Sequence, residues 1–223
     1  NFNSTSLAIF KVDYNKYGYQ RFVNEKLEVE KVIASDSPLV LGIFPVAPIH
    51  TPAKYANHMM LKLTTPLVLD PKAQADAYLI MPIEIGVVRS SDGDIQIIDA
   101  FSVGQSKYAL YGSPENGIVC RFYETRIYPE IPKVAPYKEA VLRAHFHNYS
   151  EKINTISRLV FPISGADLYY RKNEAYYNDI EVVLQEKLLQ TFLEIDVTDA
   201  EWNAERTTLN QKFDSKYVME MGF

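Results

Sequence analysis

Apolar and polar residues alternate with a period of two through most of this chain, and that period is typical of β-strands. The clearest case is the segment YLIMPIEIGVV (78–88), which RSSDGD (89–94) joins to IQIIDAFSV (95–103). The dipeptide Asp92-Gly93 supplies the positive φ angles that a tight hairpin turn needs. SLAIFKVDY (6–14) and KLEVEKVI (26–33) flank a polar segment that contains Gly18. These segments predict β-hairpins.

Ten or more such segments follow one another at short spacing, whereas helical patterns are few. Because strands do not alternate with helices, a parallel α/β sheet is disfavoured. We therefore predict a mostly β protein, antiparallel and sandwich-like, with few short helices. PLVLGIFPV (38–46) is nearly all apolar and is predicted to be a strand buried on both faces. YVMEMGF (217–223) alternates again and predicts a last strand.

Residues 179–195 are open between strand and helix. Ile180, Leu184 and Leu188 lie close to helical spacing, yet DIEVVL (179–184) also fits a strand. Thr198 and Glu201 have the spacing of a capping box, which predicts the start of a short helix.

The segment PEIPKVAP (129–136) carries three prolines, and proline removes a hydrogen-bond donor from a β-ladder. The segment is therefore not a central strand. It is either a linker between two β lobes, residues 1–128 and 137–223, or a crossover within a single unit of residues 1–223. With 47% hydrophobic residues in 223, the chain has enough apolar surface for either arrangement.

Charge and cysteine content exclude several classes of function. The formal net charge is −5 and no run of lysine or arginine is present, so a nucleic-acid partner is not expected. No apolar run is long enough for a transmembrane segment. Cys120 is the single cysteine and cannot form an internal disulfide, which fits a cytoplasmic protein.

The stretch HFHNYSE (145–151) holds the candidate metal ligands. Alternate residues of a strand share a face, so His145 and His147 could bind one ion with Glu151 as a third ligand. Arg143 would share that face and repel a cation, and no ligand from a neighbouring strand is evident. We predict a solvated strand face with no metal and no cofactor.

Charged residues inside apolar strands mark a second candidate site. Glu84 interrupts MPIEIGV and Asp99 lies across the predicted hairpin, while GIVCRFYETRIY supplies arginines. An unpaired buried carboxylate is costly, so each needs a partner. One interpretation is an ordinary ion pair, and the other is a polar ligand pocket formed by Glu84, Asp99, Arg121, Tyr123 and Arg126. Cys120 is predicted to pack inward as an inert strand residue.

No nucleophile-elbow, phosphate-loop or zinc-protease motif is present, so an enzyme is the less favoured class. The sixteen tyrosines and the abundance of strands favour a non-enzymatic binding or assembly protein. Its sheet faces or edges would bind a protein partner or a second copy of the chain. The alternative is an enzyme or small-ligand binder that uses the polar pocket, with a metal-dependent variant at His145 and His147.

Five blocks carry a resemblance to a known family, in the same order along the chain: MPIEIGV, KYALYG, GIVCRFYETRIYPEIP, SRLVFP and YVMEMGF. In these blocks the sequence resembles an uncharacterised family found largely in archaea, known as domain of unknown function 432. The resemblance implies a single family-length unit in a cytoplasmic setting, and it implies that DIEVVLQEKLL is a strand. It supplies no activity, ligand or catalytic residue.

Overall fold

The computed structural model describes residues 2, 4–36, 39–48, 56–91, 94–163, 166–187, 190–198, 200 and 202–207. This part of the chain contains strands and no helix. The strands, in chain order, are β1 (Thr5–Asp13), β2 (Lys16–Val23), β3 (Lys26–Ala34), β4 (Leu41–Val46), β5 (His58–Leu69), β6 (Gln74–Pro82), β7 (Glu84–Ser91), β8 (Asp94–Phe101), β9 (Lys107–Tyr111), β10 (Ile118–Thr125), β11 (Glu139–Asn148), β12 (Asn154–Pro162), β13 (Leu168–Arg171), β14 (Glu174–Tyr177), β15 (Asp179–Lys187), β16 (Gln190–Thr198) and β17 (Glu205–Thr207).

The strands form four sheets. Two are three-stranded, β1-β2-β3 and β4-β7-β8; one is four-stranded, β12-β5-β10-β9. The largest sheet has the order β16-β15-β11-β14-β13-β17. Strand β6 is its seventh strand and lies outside this order, because it pairs antiparallel with β11. The prediction of a mostly β, sandwich-like fold is confirmed, and the few short helices that we expected are not found among the described residues. Most pairs are antiparallel, but β10 runs parallel to β5, and β11 runs parallel to both β14 and β15.

The larger of two hydrophobic clusters brings together buried residues of the largest sheet and of the β12-β5-β10-β9 sheet, and we call it the core. Alternate residues point into it, as the pleat of a strand requires. Met59 and Leu61 enter from β5, and Leu142 and Phe146 enter from β11; all four are at most 1% exposed. Burying an apolar side chain of this size contributes about 1.5–3 kcal/mol. The period-two pattern in the sequence therefore records which face of each strand meets this core.

Strands from both sides of the Pro-rich segment share sheets and core. β6 pairs with β11 over nine residues, and β12 pairs with β5. Tyr78 and Tyr128 also exchange backbone hydrogen bonds of 2.9 Å, just before the prolines. The segment 129–136 thus lies between β10 of the four-stranded sheet and β11 of the largest sheet, and each of these sheets contains strands from both sides of the segment.

Other sequence predictions have mixed outcomes. Within the range 179–195, which is open between strand and helix in the sequence, residues 179–187 lie in β15 and residues 190–195 lie in β16, and these two strands pair antiparallel; residues 188 and 189 lie outside the described residues. β7 and β8 form the predicted hairpin, with Ser91 opposite Asp94, while the turn residues Asp92 and Gly93 lie outside the described residues. The predicted last strand, 217–223, and Glu201 of the predicted capping box lie outside them as well.

The prediction that 38–46 is a strand buried on both faces is wrong. β4 is an edge strand that pairs only with β7 among the described strands, and Ile43 is 43% exposed. Pro45 explains the edge position, because it has no N–H to donate to a second neighbour.

The N-terminal sheet, β1-β2-β3, has one face on the body of the protein and one face in solvent. Tyr19 of β2 is fully buried on the inner face, and Leu7, Val29 and Ile33 pack against the core beside it. Asn24, at the β2–β3 turn, and the adjacent Glu25 have positive φ angles of 49° and 66°. Two such angles in a two-residue loop match the twist of a hairpin.

Candidate functional site

A buried ion pair between Glu84 and Arg121 forms the base of the candidate site. Glu84 begins β7 and is 0% exposed; Arg121 lies in β10 and is 3% exposed. Arg121 Nη2 donates to Glu84 Oε1 over 2.8 Å. The two opposite charges compensate each other, and a charged side chain can be buried away from water only when it has such a partner.

Further polar groups hold the guanidinium in place. Arg121 Nη2 also donates to the Ser102 hydroxyl over 2.9 Å, and Ser102 Oγ lies 3.2 Å from the Ser106 hydroxyl. Arg121 Nη1 donates to the Tyr108 hydroxyl, and the guanidinium carbon lies 5.2 Å from the centre of that ring. Burial raises the pKa of Tyr108, although the neighbouring Arg121 charge acts in the opposite direction. Arg121 is therefore fixed on several sides.

A second fixed contact lies beside the ion pair. Tyr123 follows Arg121 by two residues on β10 and shares its face. Its hydroxyl donates to Glu139 Oε1 over 2.6 Å, and Glu139 Oε2 accepts the backbone N–H of Ala135 over 2.8 Å. Burial is the largest cause, ahead of this hydrogen bond, that raises the pKa of Tyr123 well above its ordinary value. The phenol therefore stays neutral and acts as a donor.

Arg121, Ser102, Ser106, Tyr123 and Glu139 border a cleft of about 190 Å³, which we call the Arg121 cleft. Its lining is Pro82, Ile83, Ser102, Gly104, Gln105, Ser106, Lys107, Arg121, Phe122, Tyr123, Lys138 and Glu139. The side chains of Lys107 and Lys138 form no hydrogen bond or ion pair with any residue that the structure describes. Three cationic side chains and one carboxylate thus line the cleft, in a protein whose formal net charge is −5.

Of the five predicted pocket residues, Arg121 and Tyr123 line the cleft, and Glu84 is the buried partner of Arg121. Arg126 lies beyond the end of β10 and is exposed. Asp99 lies on the opposite face of the β7–β8 hairpin, because a β-bulge follows the pairing of Val88 with Ile97 and the next pair is Val87 with Asp99. One extra residue in a strand reverses the face of every residue beyond it.

Asp99 instead anchors the N-terminal sheet. It is 8% exposed and accepts hydrogen bonds of 2.7 Å from the Tyr19 hydroxyl and from Arg21 Nε. Burial, followed by the hydrogen bond to Asp99, raises the pKa of Tyr19 well above its ordinary value. The Arg21 guanidinium also lies 5.2 Å from the centre of the Phe101 ring. These contacts join β2 to β8.

The sequence did not identify five residues of the Arg121 cleft: Ser102, Ser106, Lys107, Lys138 and Glu139. Ser102 and Ser106 lie in the connection from β8 to β9, and Lys107 begins β9. Lys138 immediately precedes β11, and Glu139 begins it. Ser102 could have been found from the sequence, because it begins a polar loop directly after a strand that carries a buried charge. The two lysines had no signal, because their positions depend on pairing between distant strands.

His145 and His147 lie on the face of β11 opposite Phe146, as predicted, but both are partly covered. His145 Nδ1 lies 2.7 Å from Asp76 Oδ1, and its Nε2 lies 3.3 Å from Asp179 Oδ2. His147 stacks on Tyr149 with ring centres 5.8 Å apart. The strand face that we predicted to be solvated therefore carries a network of polar contacts between β6, β11 and β15.

The predicted third metal ligand is elsewhere. Glu151 Oε1 lies 2.8 Å from Lys72 Nζ, and Arg143 binds the Asp179 carboxylate. Within the described ranges, no group of three or more histidine, cysteine, aspartate or glutamate side chains is arranged to hold a metal ion.

His145 makes stability depend on pH. Burial, the largest single influence, lowers the pKa of His145, but together the hydrogen bonds and charges of Asp76 and Asp179 raise it above 6.5. A raised folded-state pKa gives stability that is complete below about pH 6.5 and is lost as pH rises through the folded-state value. Because Asp76 is largely exposed, we expect the loss to stay within about 1 kcal/mol.

Urea unfolding of the wild type and of His145→Gln between pH 5.5 and pH 8.5 measures this contribution. The wild type should lose more stability with rising pH than His145→Gln does. His58 is the control, because burial lowers its pKa, and His58→Gln should change the pH slope in the opposite direction. Equal slopes for the wild type and His145→Gln would contradict the assignment.

Cys120 packs inward as predicted and is 0% exposed. Burial raises the pKa of its thiol to about 11. The thiolate, which is the nucleophilic form, is therefore rare at neutral pH. Separately, the described residues include no helix that could cross a membrane.

Fold and geometry define an all-β, sandwich-like protein with a small polar cleft above a buried ion pair. Comparison with known families then gives the family. Residues 1–220 match the model of a family described as "Protein of unknown function (DUF432)", and the chain belongs to that family. The resemblance found in the sequence is thereby confirmed. No curated protein and no solved structure matches the chain.

Proposed function

We propose that the protein binds a small anionic molecule in the Arg121 cleft. The observation that carries the proposal is the pair of lysines at the cleft, Lys107 and Lys138, whose ammonium groups have no hydrogen bond or ion pair to the described part of the chain. A carboxylate or phosphate group is the complement of such a surface.

The buried pair below the lysines supports recognition. Glu84, Ser102 and Tyr108 hold Arg121 in one position, so little side-chain entropy is lost when a ligand binds nearby. Ser106 and the Tyr123 phenol add hydroxyl groups that can orient polar atoms. Ile83 and Phe122 supply apolar wall. Sites for small ligands typically combine a mostly apolar wall with a small number of polar groups.

The size of the cleft restricts the ligand. Sites for drug-sized molecules have volumes of about 300–1,000 Å³. The Arg121 cleft, at about 190 Å³, fits a small organic acid or phosphate compound instead. The proposal places this activity in the cytoplasm, as a single cysteine suggests, and assigns no nucleic-acid partner.

Calorimetric titration with acetate, malonate and inorganic phosphate at constant ionic strength tests the proposal. We expect saturable binding of at least one of them. The double variant Lys107→Gln/Lys138→Gln should bind it about tenfold or more weakly, which corresponds to about 1.4 kcal/mol.

The matched control is Lys16→Gln/Lys26→Gln, which removes two charges from the N-terminal sheet. Both of its lysines are more than half exposed. It should bind the anion as the wild type does. An equal loss of anion affinity in both double variants would show that only the overall charge of the protein matters. If none of the three anions gives saturable binding, the proposal is wrong.

A second candidate function is self-association through the outer face of the N-terminal sheet. On this face Phe10, Leu27 and Val32 are 44%, 42% and 66% exposed. Phe10 lies across Gly18, where a Cβ would come within 2.4 Å of the ring, so glycine is required for this arrangement. β1 and β3 each pair with β2 alone among the described strands. Such a face favours a second copy of the chain.

The size of the face predicts weak association. Three strands of eight or nine residues, about 4.8 Å apart, cover roughly 400 Å². Stable interfaces bury about 800 Å² on each partner. We therefore expect a monomer at about 10 µM and a growing dimer fraction toward about 1 mM.

Light scattering after size exclusion at both concentrations tests this second candidate. Val32→Asp should abolish the dimer, whereas Val68→Asp should not, although Val68 is 59% exposed. A monomer at all concentrations would contradict it.

A further inference from the structure

A second cleft, of about 220 Å³, shares the lining residue Ile83 with the Arg121 cleft. We call it the ring-lined cleft, because four aromatic side chains contribute to its walls: Phe2, Phe44, Tyr137 and Tyr170. Apart from Ile83, the two clefts have no lining residue in common. A ligand in the ring-lined cleft would therefore contact different side chains from a ligand in the Arg121 cleft.

The walls of the ring-lined cleft are apolar and ordered by ring contacts. The Phe2 ring meets Tyr137 edge to face, with centres 5.1 Å apart. The Phe44 and Tyr170 rings are stacked with centres 6.5 Å apart. Ile83 and Ile85, at 3% and 2% exposure, also line the cleft. Walls of this kind favour a ligand with a flat aromatic ring, because aromatic rings pack well against each other by stacking or edge to face.

Two residues of the cleft have strained backbones. Tyr137 has a φ of 65° and Lys172 has a φ of 56°. Tyr137 follows Pro136 in a turn that the Lys138 N–H closes on the Ala135 carbonyl, a position where glycine or asparagine is usual. An aromatic residue with positive φ is an outlier, and such strain concentrates at ligand sites. Here it brings the Tyr137 ring into the wall, with its hydroxyl bound to Asn173 Oδ1.

A cation stands at the rim. Lys172 lies in the turn between β13 and β14, and its side chain has no hydrogen bond or ion pair within the residues described. The neighbouring carboxylate, Glu174, accepts the Tyr176 hydroxyl over 2.9 Å and lies 3.4 Å from Arg171 Nη2. The hydrogen bond from Tyr176, followed by Arg171, lowers the pKa of Glu174, and the charge of Lys172 adds a smaller effect in the same direction. Because Lys172 forms no hydrogen bond of its own to this carboxylate, its ammonium group can receive an anion.

We propose that the ring-lined cleft binds a small aromatic carboxylic acid. Its ring would lie against Phe44, Tyr137 and Tyr170, and its carboxylate would pair with Lys172. This inference goes beyond the anion site at Arg121, since it requires an aromatic body and other residues.

Protein-observed NMR titration with 3-phenylpropionate tests the inference. We expect saturable shifts at the amides of Tyr137, Lys172 and Asn173, with a dissociation constant below about 1 mM. The neutral analogue 3-phenylpropan-1-ol should bind at least about fivefold more weakly, because it lacks the charge that Lys172 recognises.

Variants separate the ring contact from the charge. Lys172→Asn keeps a residue that tolerates positive φ and should weaken binding of the acid about fivefold without affecting the alcohol. Tyr137→Gly suits the positive φ of the turn, so the variant should still fold although the ring contacts are lost, and it should lose binding of both probes. Lys26→Asn is the charge control and should bind as the wild type does.

The anion-site variant Lys107→Gln/Lys138→Gln distinguishes the two clefts. It should leave 3-phenylpropionate binding unchanged, whether or not it weakens malonate. The inference is overturned by an absence of saturable shifts up to about 10 mM, by an equal loss in Lys26→Asn, or by a loss that follows the anion-site variant instead of Lys172 and Tyr137.

Discussion

Arg121→Met is expected to lose about 3–5 kcal/mol of unfolding free energy, because it leaves Glu84 buried and charged without its partner. Glu84 is 0% exposed, so water cannot replace the guanidinium. The variant also removes the donor to Ser102 and Tyr108. Since whole domains are stable by about 5–15 kcal/mol, a loss of this size is a large part of the total. Urea unfolding followed by circular dichroism measures it.

The double variant Glu84→Leu/Arg121→Met is the control for this interpretation. It removes both charges and should be more stable than Arg121→Met alone, since an apolar pair of similar volume often replaces a buried ion pair at little cost. The coupling between the two sites should be at least about 1 kcal/mol. If the two single changes simply add, the pair is not the interaction that holds this part of the fold.

Asp99→Ala is expected to loosen the N-terminal sheet and to cost about 3 kcal/mol. The change leaves the Tyr19 hydroxyl without its acceptor in a fully buried position and frees the Arg21 guanidinium, and each unsatisfied group costs about 1–3 kcal/mol. Because Asp99 joins β2 to β8, hydrogen exchange should rise in β1, β2 and β3 more than in β11. Uniform exchange throughout the molecule would contradict this local role.

Two further measurements support the Asp99 experiment. Asp13→Ala removes an aspartate that is 65% exposed in its side chain and should change stability by less than about 0.5 kcal/mol. Burial and Asp99 raise the folded-state pKa of Tyr19, so the stability from this phenol is complete below about pH 10 and is lost as pH rises further. Tyr19→Phe should therefore lose less stability than the wild type above pH 10.

The sequence was sufficient for the class of fold because burial alternates with the pleat. In β11, Leu142, Ala144 and Phe146 enter the core while Arg143 and His145 remain on the other face. The same pattern cannot tell a parallel from an antiparallel neighbour. The parallel pairing of β10 with β5 joins residues about sixty positions apart, and no local signal encodes it.

Part of the candidate site was predictable for a similar reason. Glu84 and Arg121 are charged residues in apolar strands, and burial forces them to find partners. Asp99 was assigned to the same surface because a regular hairpin around Asp92-Gly93 would place it on the face of Glu84. The bulge in β8 reverses that face, and nothing in IQIIDAF identifies the bulge.

Binding at the Arg121 cleft is tested most directly by an NMR titration of the labelled protein with malonate at constant ionic strength. We expect saturable shifts of the amides from Ser102 to Lys107 and of Lys138 and Glu139, and Lys107→Gln/Lys138→Gln should require about tenfold or more malonate to reach the same shifts. Saturable shifts confined to other parts of the molecule, or no saturable shifts for malonate, acetate or phosphate, would contradict it.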